Sequence, residues 1–286
     1  MPAMFTIWRE VAPARRLPLV WPREHGAWGI LLVSLITGAA AGFSSSSRFL
    51  PLLWLAFATL TAFCLRTPVE NAFPASALRP RNHAEWRWVS AAAALYFLTC
   101  AFAVGLLWRT GAIALVWRVG LAAACLFVLH AAVKRTGRAG RFTAEIIAAF
   151  GLALAAAASC AVAAGRMESR AYILWFLNGL FAANQILYVQ FRIGEMREAS
   201  GSSVFRAKIV LLASETLTAG ALLAGAGAKL LPSWALVAFV PVFLRGGIWS
   251  LRSDHPPLRI HRLGKTELAH AIVFGILLIT AFRVAH

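Results

Sequence analysis

Aspartate is almost absent from these 286 residues: Asp254 stands alone, and the other ten carboxylates are Glu. Chemistry that relies on a dense Asp-rich metal cluster therefore starts without its ligands. Cysteine is equally sparse. Cys64, Cys100, Cys125 and Cys160 stand singly inside apolar segments, with no CxxC or Cys/His spacing, so they read as small buried hydrophobes. Charge of either sign is scarce at 14%, against 60% hydrophobic residues and a mean hydropathy of +0.72. So little polar surface cannot cover a soluble globule, and the chain reads as an all-α, polytopic membrane protein.

The formal net charge of +17 does not point to nucleic acid, because Lys and Arg stand between apolar runs and not along one face. The lipid bilayer is the expected partner. Nine segments are long and apolar enough to cross it: Ala27 to Phe43, Phe49 to Leu65, Trp88 to Trp108, Ala112 to Val133, Ala144 to Ala164, Tyr172 to Val189, Ile209 to Ala228, Leu230 to Leu251 and Leu268 to Phe282. The basic residues alternate across this list. With Arg245, near the end of its segment, counted in the connection that follows, twenty-one of the 28 Lys and Arg fall before the first segment or in every second connection, six fall in the alternate connections and at the C-terminal end, and Arg118 lies inside a segment. The positive-inside rule then predicts a multi-pass protein with its N-terminus cytoplasmic and its C-terminus outside. The first 24 residues lack the order of a cleavable signal peptide, so residues 1–24 are expected to be a cytoplasmic segment and 25–286 one helical bundle.

Polar residues at the edges of the apolar segments, or inside them, are the candidate site. Trp21-Pro22-Arg23-Glu24-His25-Gly26-Ala27-Trp28 precedes an uncharged run. Glu24 and His25 form a possible acid/base pair or head-group contact, although the same residues suit a plain helix start with interfacial tryptophans. Arg66-Thr67-Pro68-Val69-Glu70-Asn71 follows the second segment, and Pro68 is expected to break the helix there. Arg192, Glu195 and Glu198 lie three apart at the end of the sixth segment. They can pair among themselves, or the two Glu can share a divalent cation. Glu215 sits inside the seventh segment, and an ionisable group in a bilayer usually faces the bundle interior. Asn178, Asn184 and Gln185 can bond across helices, which serves as glue or as a ligand contact.

Pro22-Arg23-Glu24-His25-Gly26-Ala27-Trp28, Arg66-x-Pro68, Arg192-Ile193-x-Glu195 and Leu263-Gly264-Lys265-Thr266-Glu267-Leu268 together resemble the YwiC-like family of bacterial integral membrane proteins. That family brings no established activity. More distantly, the layout is similar to the UbiA-type intramembrane prenyltransferases, which have nine helices and loops bearing the active site after the second and sixth. Lys134-Arg135-Thr136 is similar to a basic element of that superfamily. Where its Asp-rich motifs bind magnesium diphosphate, this chain has Arg66, Glu70 and Asn71, then Glu195 and Glu198.

These residues lead to an expected UbiA-like bundle of about nine transmembrane helices that binds an isoprenoid- or quinone-like amphiphile in a cytoplasm-facing cavity, with prenyl or related group transfer as its chemistry. Arg23, Arg66, Asn71, Lys134, Arg135, Asn184 and Arg192 would hold the substrate, Glu24, His25 and Glu215 would act in catalysis, and Glu70, Glu195 and Glu198 would hold any Mg. Two other classes stay open. In a small-solute transporter, Glu215 and the face from Asn178 to Gln185 would line a path; the last class is a non-catalytic membrane partner or assembly factor.

Overall fold

The computed structural model describes residues 13–23, 25–44, 49–73, 78–197, 201–251 and 260–284. Among them there are ten helices and no strand: α1 (Pro13–Val20), α2 (His25–Gly42), α3 (Phe49–Ala72), α4 (His83–Arg109), α5 (Ile113–Lys134), α6 (Arg138–Ala164), α7 (Ser169–Arg197), α8 (Gly201–Gly227), α9 (Ala235–Leu251) and α10 (Ile260–Val284). The last nine correspond one for one to the nine apolar segments. Seven of them, α3 to α8 and α10, have the length and hydropathy of membrane spans, while α2 and α9 are shorter apolar helices. The protein is a polytopic membrane helical bundle.

Contacts divide the chain into two compact units, the first holding α1, α3 and α4, the second α2 and α5 to α10. In the first unit α3 and α4 pack as a pair and α1 lies against both. The basic N-terminal segment gave no helix signal, yet Pro13–Val20 is helical, with Pro13 at the first position, where its missing N–H is harmless. Leu19 and Val20 bury themselves against Trp88 and Val89, and the Asn71 amide donates to the Leu19 carbonyl at 3.0 Å. At the start of α4 the Asn82 side chain accepts from the Glu85 N–H at 2.8 Å. The Glu85 carboxylate reaches back to the Arg81 N–H at 2.7 Å, so two otherwise unpaired donors are satisfied.

The second unit is organised around α6. From Ala153 to Ala163 its residues are buried, and this small-residue surface lets neighbours approach closely. Gly38 and Gly42 of α2, spaced as GxxxG, face the backbone of Ala156 and Cys160, so a Cβ at either glycine would collide with it. Helix α6 ends at Gly165, whose φ of +70° is the left-handed conformation of a helix stop. Its partner α7 leads into α8, α9 and α10, and α9 touches all three of these other helices.

Two expectations need correction. Pro68 does not break α3; it is buried inside a helix that continues to Ala72. Proline removes one backbone donor and clashes with the preceding turn, but neighbouring helices in a membrane bundle make this tolerable. The long basic connections are also mostly helix: α3 runs on through Arg66, α7 through Arg192, and α10 starts at Ile260. Arg245, counted with a connection, lies well inside α9 and is buried.

Candidate functional site

One stripe of α7 carries Asn178, Gln185 and Arg192, which are seven residues apart and all buried. Seven residues make nearly two turns, so the three side chains share a face extending about 21 Å along the axis. Membrane helices turn such residues inward, and here they meet the polar residues of α2, α9 and α10.

The centre of the stripe is a charged ladder. The Arg245 guanidinium of α9 pairs through Nη1 with the Glu267 carboxylate of α10. Through Nη2 it donates to the Asn184 carbonyl oxygen of α7 at 3.2 Å. Its flat face lies 4.0 Å from the centre of the Tyr188 ring. One turn further along, the arrangement is repeated with the helices exchanged: Arg192 of α7 lies 3.4 Å from the Trp249 ring of α9 and pairs with Glu195 at 3.1 Å. Gln185 donates to the backbone carbonyl of Glu267 at 2.9 Å, so α7 holds α10 in register. Outside this ladder Gln190 donates to the Glu145 carboxylate of α6.

Glu215 enters from α8. Its carboxylate stands beside Asn184 and Arg245 and presses on Gly246, where no Cβ could fit. Asn184, Glu215 and Arg245 all fall near the midpoints of their helices. Four polar atoms of the cluster are buried without a well-formed hydrogen bond among the described residues, Asn184 Nδ2, Arg245 Nε, Glu215 Oε1 and Glu267 Oε1, with the Asn184 amide standing within reach of the Glu215 carboxylate. Two are donors and two are acceptors, and buried polar groups normally find partners.

Two layers bound the ladder. Around it, Tyr188, Phe191, Leu211 and Leu263 form an apolar cluster. Toward Asn178, Phe274 of α10 stacks on Phe181 of α7 with centroids 3.9 Å apart and meets the edge of Phe239 of α9 at 5.2 Å. Beyond that aromatic layer Asn178 accepts from Ser34 and Thr37 of α2 at 3.4 and 3.3 Å, and its own amide donates to the Leu174 carbonyl. Asn178 is thus glue between helices.

Of the expected site residues, Asn184, Arg192, Glu195 and Glu215 lie in this part of the second unit. Lys134 and Arg135 are exposed at the end of α5 and in the turn after it. Arg66 and Glu70 pair at 2.6 Å in the first unit, where Asn71 holds α1, and Arg23 is exposed just before α2. Glu24 and Glu198 lie outside the described residues, and His25 is described only as the first residue of α2. No group of three His, Cys, Asp or Glu is placed to hold a metal ion among the described residues. Tyr188, Arg245, Gly246 and Trp249 were not among the expected site residues, and Glu267 was read only as part of the closing family motif. The signal for Arg245 was available: a single arginine inside an apolar run calls for a buried partner as much as Glu215 does.

A family model described as YwiC-like protein matches residues 21–160. These residues are YwiC-like. The YwiC-like stretch runs from Trp21 through α2 to α5 and ends inside α6, so the ladder from Asn184 to Glu267 lies beyond it. No curated protein and no solved structure matches the chain.

Proposed function

We propose that this integral membrane protein binds an amphiphile, isoprenoid- or quinone-like in its apolar part, with its polar head at the Asn184–Glu215–Arg245–Glu267 cluster. The observation that carries the reading is the set of four buried polar atoms there without a well-formed hydrogen bond among the described residues. Each charged group near the bilayer centre costs about 2.5 to 3.5 kcal/mol on insertion scales, and a purely structural seam would use apolar side chains instead. The apolar cluster of Tyr188, Phe191, Leu211 and Leu263 suits the remainder of such a molecule. Transport of a small solute is the weaker reading, because the Phe181–Phe274–Phe239 layer interrupts the polar stripe between Asn184 and Asn178.

The likeness to UbiA-type enzymes is one of layout. It rests on the nine apolar helices, and the ladder offers Glu where those enzymes use Asp-rich magnesium sites. The resemblance to bacterial YwiC-like membrane proteins supports a bacterial inner-membrane location, and the alternation of basic residues supports a cytoplasmic N-terminus with the C-terminus outside, which labelling of single cysteines in intact cells would test. The binding reading is tested by native mass spectrometry of the chain in mild detergent. A co-purifying amphiphile should be retained by the wild type and lost from the Asn184→Leu variant; wild type with no adduct, or equal retention by both, overturns it.

A further inference from the structure

The charges around the cluster limit what head group it accepts. Among the described residues Arg245 is the cation in contact with the cluster's carboxylates, and two of its three nitrogens already have partners. Nη1 is held by Glu267, Nη2 by Asn184, and the Tyr188 ring covers one face. Phosphate and diphosphate are recognised by the open fork of a guanidinium, with two parallel N–H donors; here each terminal nitrogen already gives one N–H to a neighbour, and Nε is the nitrogen left without a partner among the described residues. Arg192 lies over the Trp249 ring and pairs through Nε with Glu195. Two carboxylates, Glu215 and Glu267, meanwhile each keep a buried oxygen with no hydrogen bond among the described residues, that of Glu215 lying against Gly246. An anionic head would be brought against them in a medium of low dielectric, where like charges repel strongly.

The remaining groups suit a different chemistry. Glu215 Oε1 and Glu267 Oε1 accept a hydroxyl proton, while Arg245 Nε and Asn184 Nδ2 donate to an oxygen. We infer that the cluster takes an uncharged head group that both donates and accepts hydrogen bonds, of the phenol, quinol or alcohol kind, and rejects phosphorylated amphiphiles. The inference rests on the binding reading above and narrows its ligand.

The test is thermal unfolding of the full chain in nanodiscs with three probes: a decyl-substituted hydroquinone, farnesol and farnesyl diphosphate. The two neutral probes should raise the midpoint saturably, and farnesyl diphosphate at the same concentrations should neither raise it nor compete. Glu215→Leu removes an acceptor and leaves the Arg245–Glu267 pair in place, so it should weaken the neutral probes tenfold or more. Asn184→Leu, which removes a donor on a different helix, serves as the second variant should Glu215→Leu not fold. Competition by farnesyl diphosphate would overturn the inference and leave the binding reading standing. Failure of all three probes, with no amphiphile retained on purification, would overturn the binding reading itself. Unchanged affinity for the neutral probes in both variants would remove the cluster as their site.

Discussion

The carboxylate of Glu215 on α8 occupies the space that a Cβ at Gly246 on α9 would need. A glycine inside a helix is unfavourable by about 1 kcal/mol relative to alanine, so this close approach sets the residue type. Gly246→Ala should displace a buried side chain and destabilise the fold by about 1–3 kcal/mol. Gly247→Ala, where open space lies around the backbone, should be neutral or slightly stabilising. Melting curves in detergent separate the two variants; equal curves would mean that α8 and α9 do not meet at this point.

Removing Arg245 leaves two buried carboxylates without their cation. Arg245→Met should destabilise by about 3–5 kcal/mol, and Glu267→Leu in the same chain should recover part of that loss. A double-mutant cycle should give a coupling between the two positions of at least about 1 kcal/mol, and additive effects would remove the ion pair from the account.

The Arg192–Trp249 contact is optically accessible. With 11 tryptophans in the chain, the Trp249 signal is isolated by subtracting the Trp249→Phe spectrum. Arg192→Gln should shift that emission and lower stability by about 1–2 kcal/mol. An unshifted difference spectrum would show that the guanidinium does not lie on the ring.

In the first unit, Asn71→Ala leaves the Leu19 carbonyl without the side-chain donor that docks α1. The expected loss is about 1–3 kcal/mol, confined to α1. Limited trypsin cleavage after Arg15 and Arg16 should accelerate while the remainder of the chain stays intact. Unchanged cleavage would mean that Leu19 and Val20 hold α1 without the hydrogen bond.

Gly38→Val should force α2 away from the Ala156 backbone and sharply reduce the yield of monodisperse protein, whereas Gly26→Ala, with nothing within 4 Å, should leave it unchanged. Both are read by size-exclusion chromatography of the solubilised membrane fraction.

Legibility differs between the helices and the site. All nine apolar segments are helices, because hydropathy over some 20 residues is a local property and only a helix satisfies a backbone in lipid. Helix ends were less legible. Arg66 and Arg192 continue their helices since charge does not stop a helix; it only moves the point at which the chain leaves the apolar layer. Glu215 stood out because a lone carboxylate in an apolar run is visible without a partner. Of its neighbours, Arg245 was counted only by its charge although a lone arginine in an apolar run is as visible, and Gly246 left no signal at all.

The sequence by itself determined that this chain is a membrane bundle, which segments form its apolar helices, and that polar groups such as Asn184 and Glu215 lie within them. Tertiary structure alone decided which of them meet. Arg245 reaches Asn184 across 61 residues and Glu267 across 22, and Gln185 reaches the Glu267 backbone across 82. Such pairings depend on the rotation and height of α7, α9 and α10. Those are set by small-residue contacts, by the stacked Phe181 and Phe274, and by the missing Cβ at Gly246, none of which leaves a periodic trace in the chain.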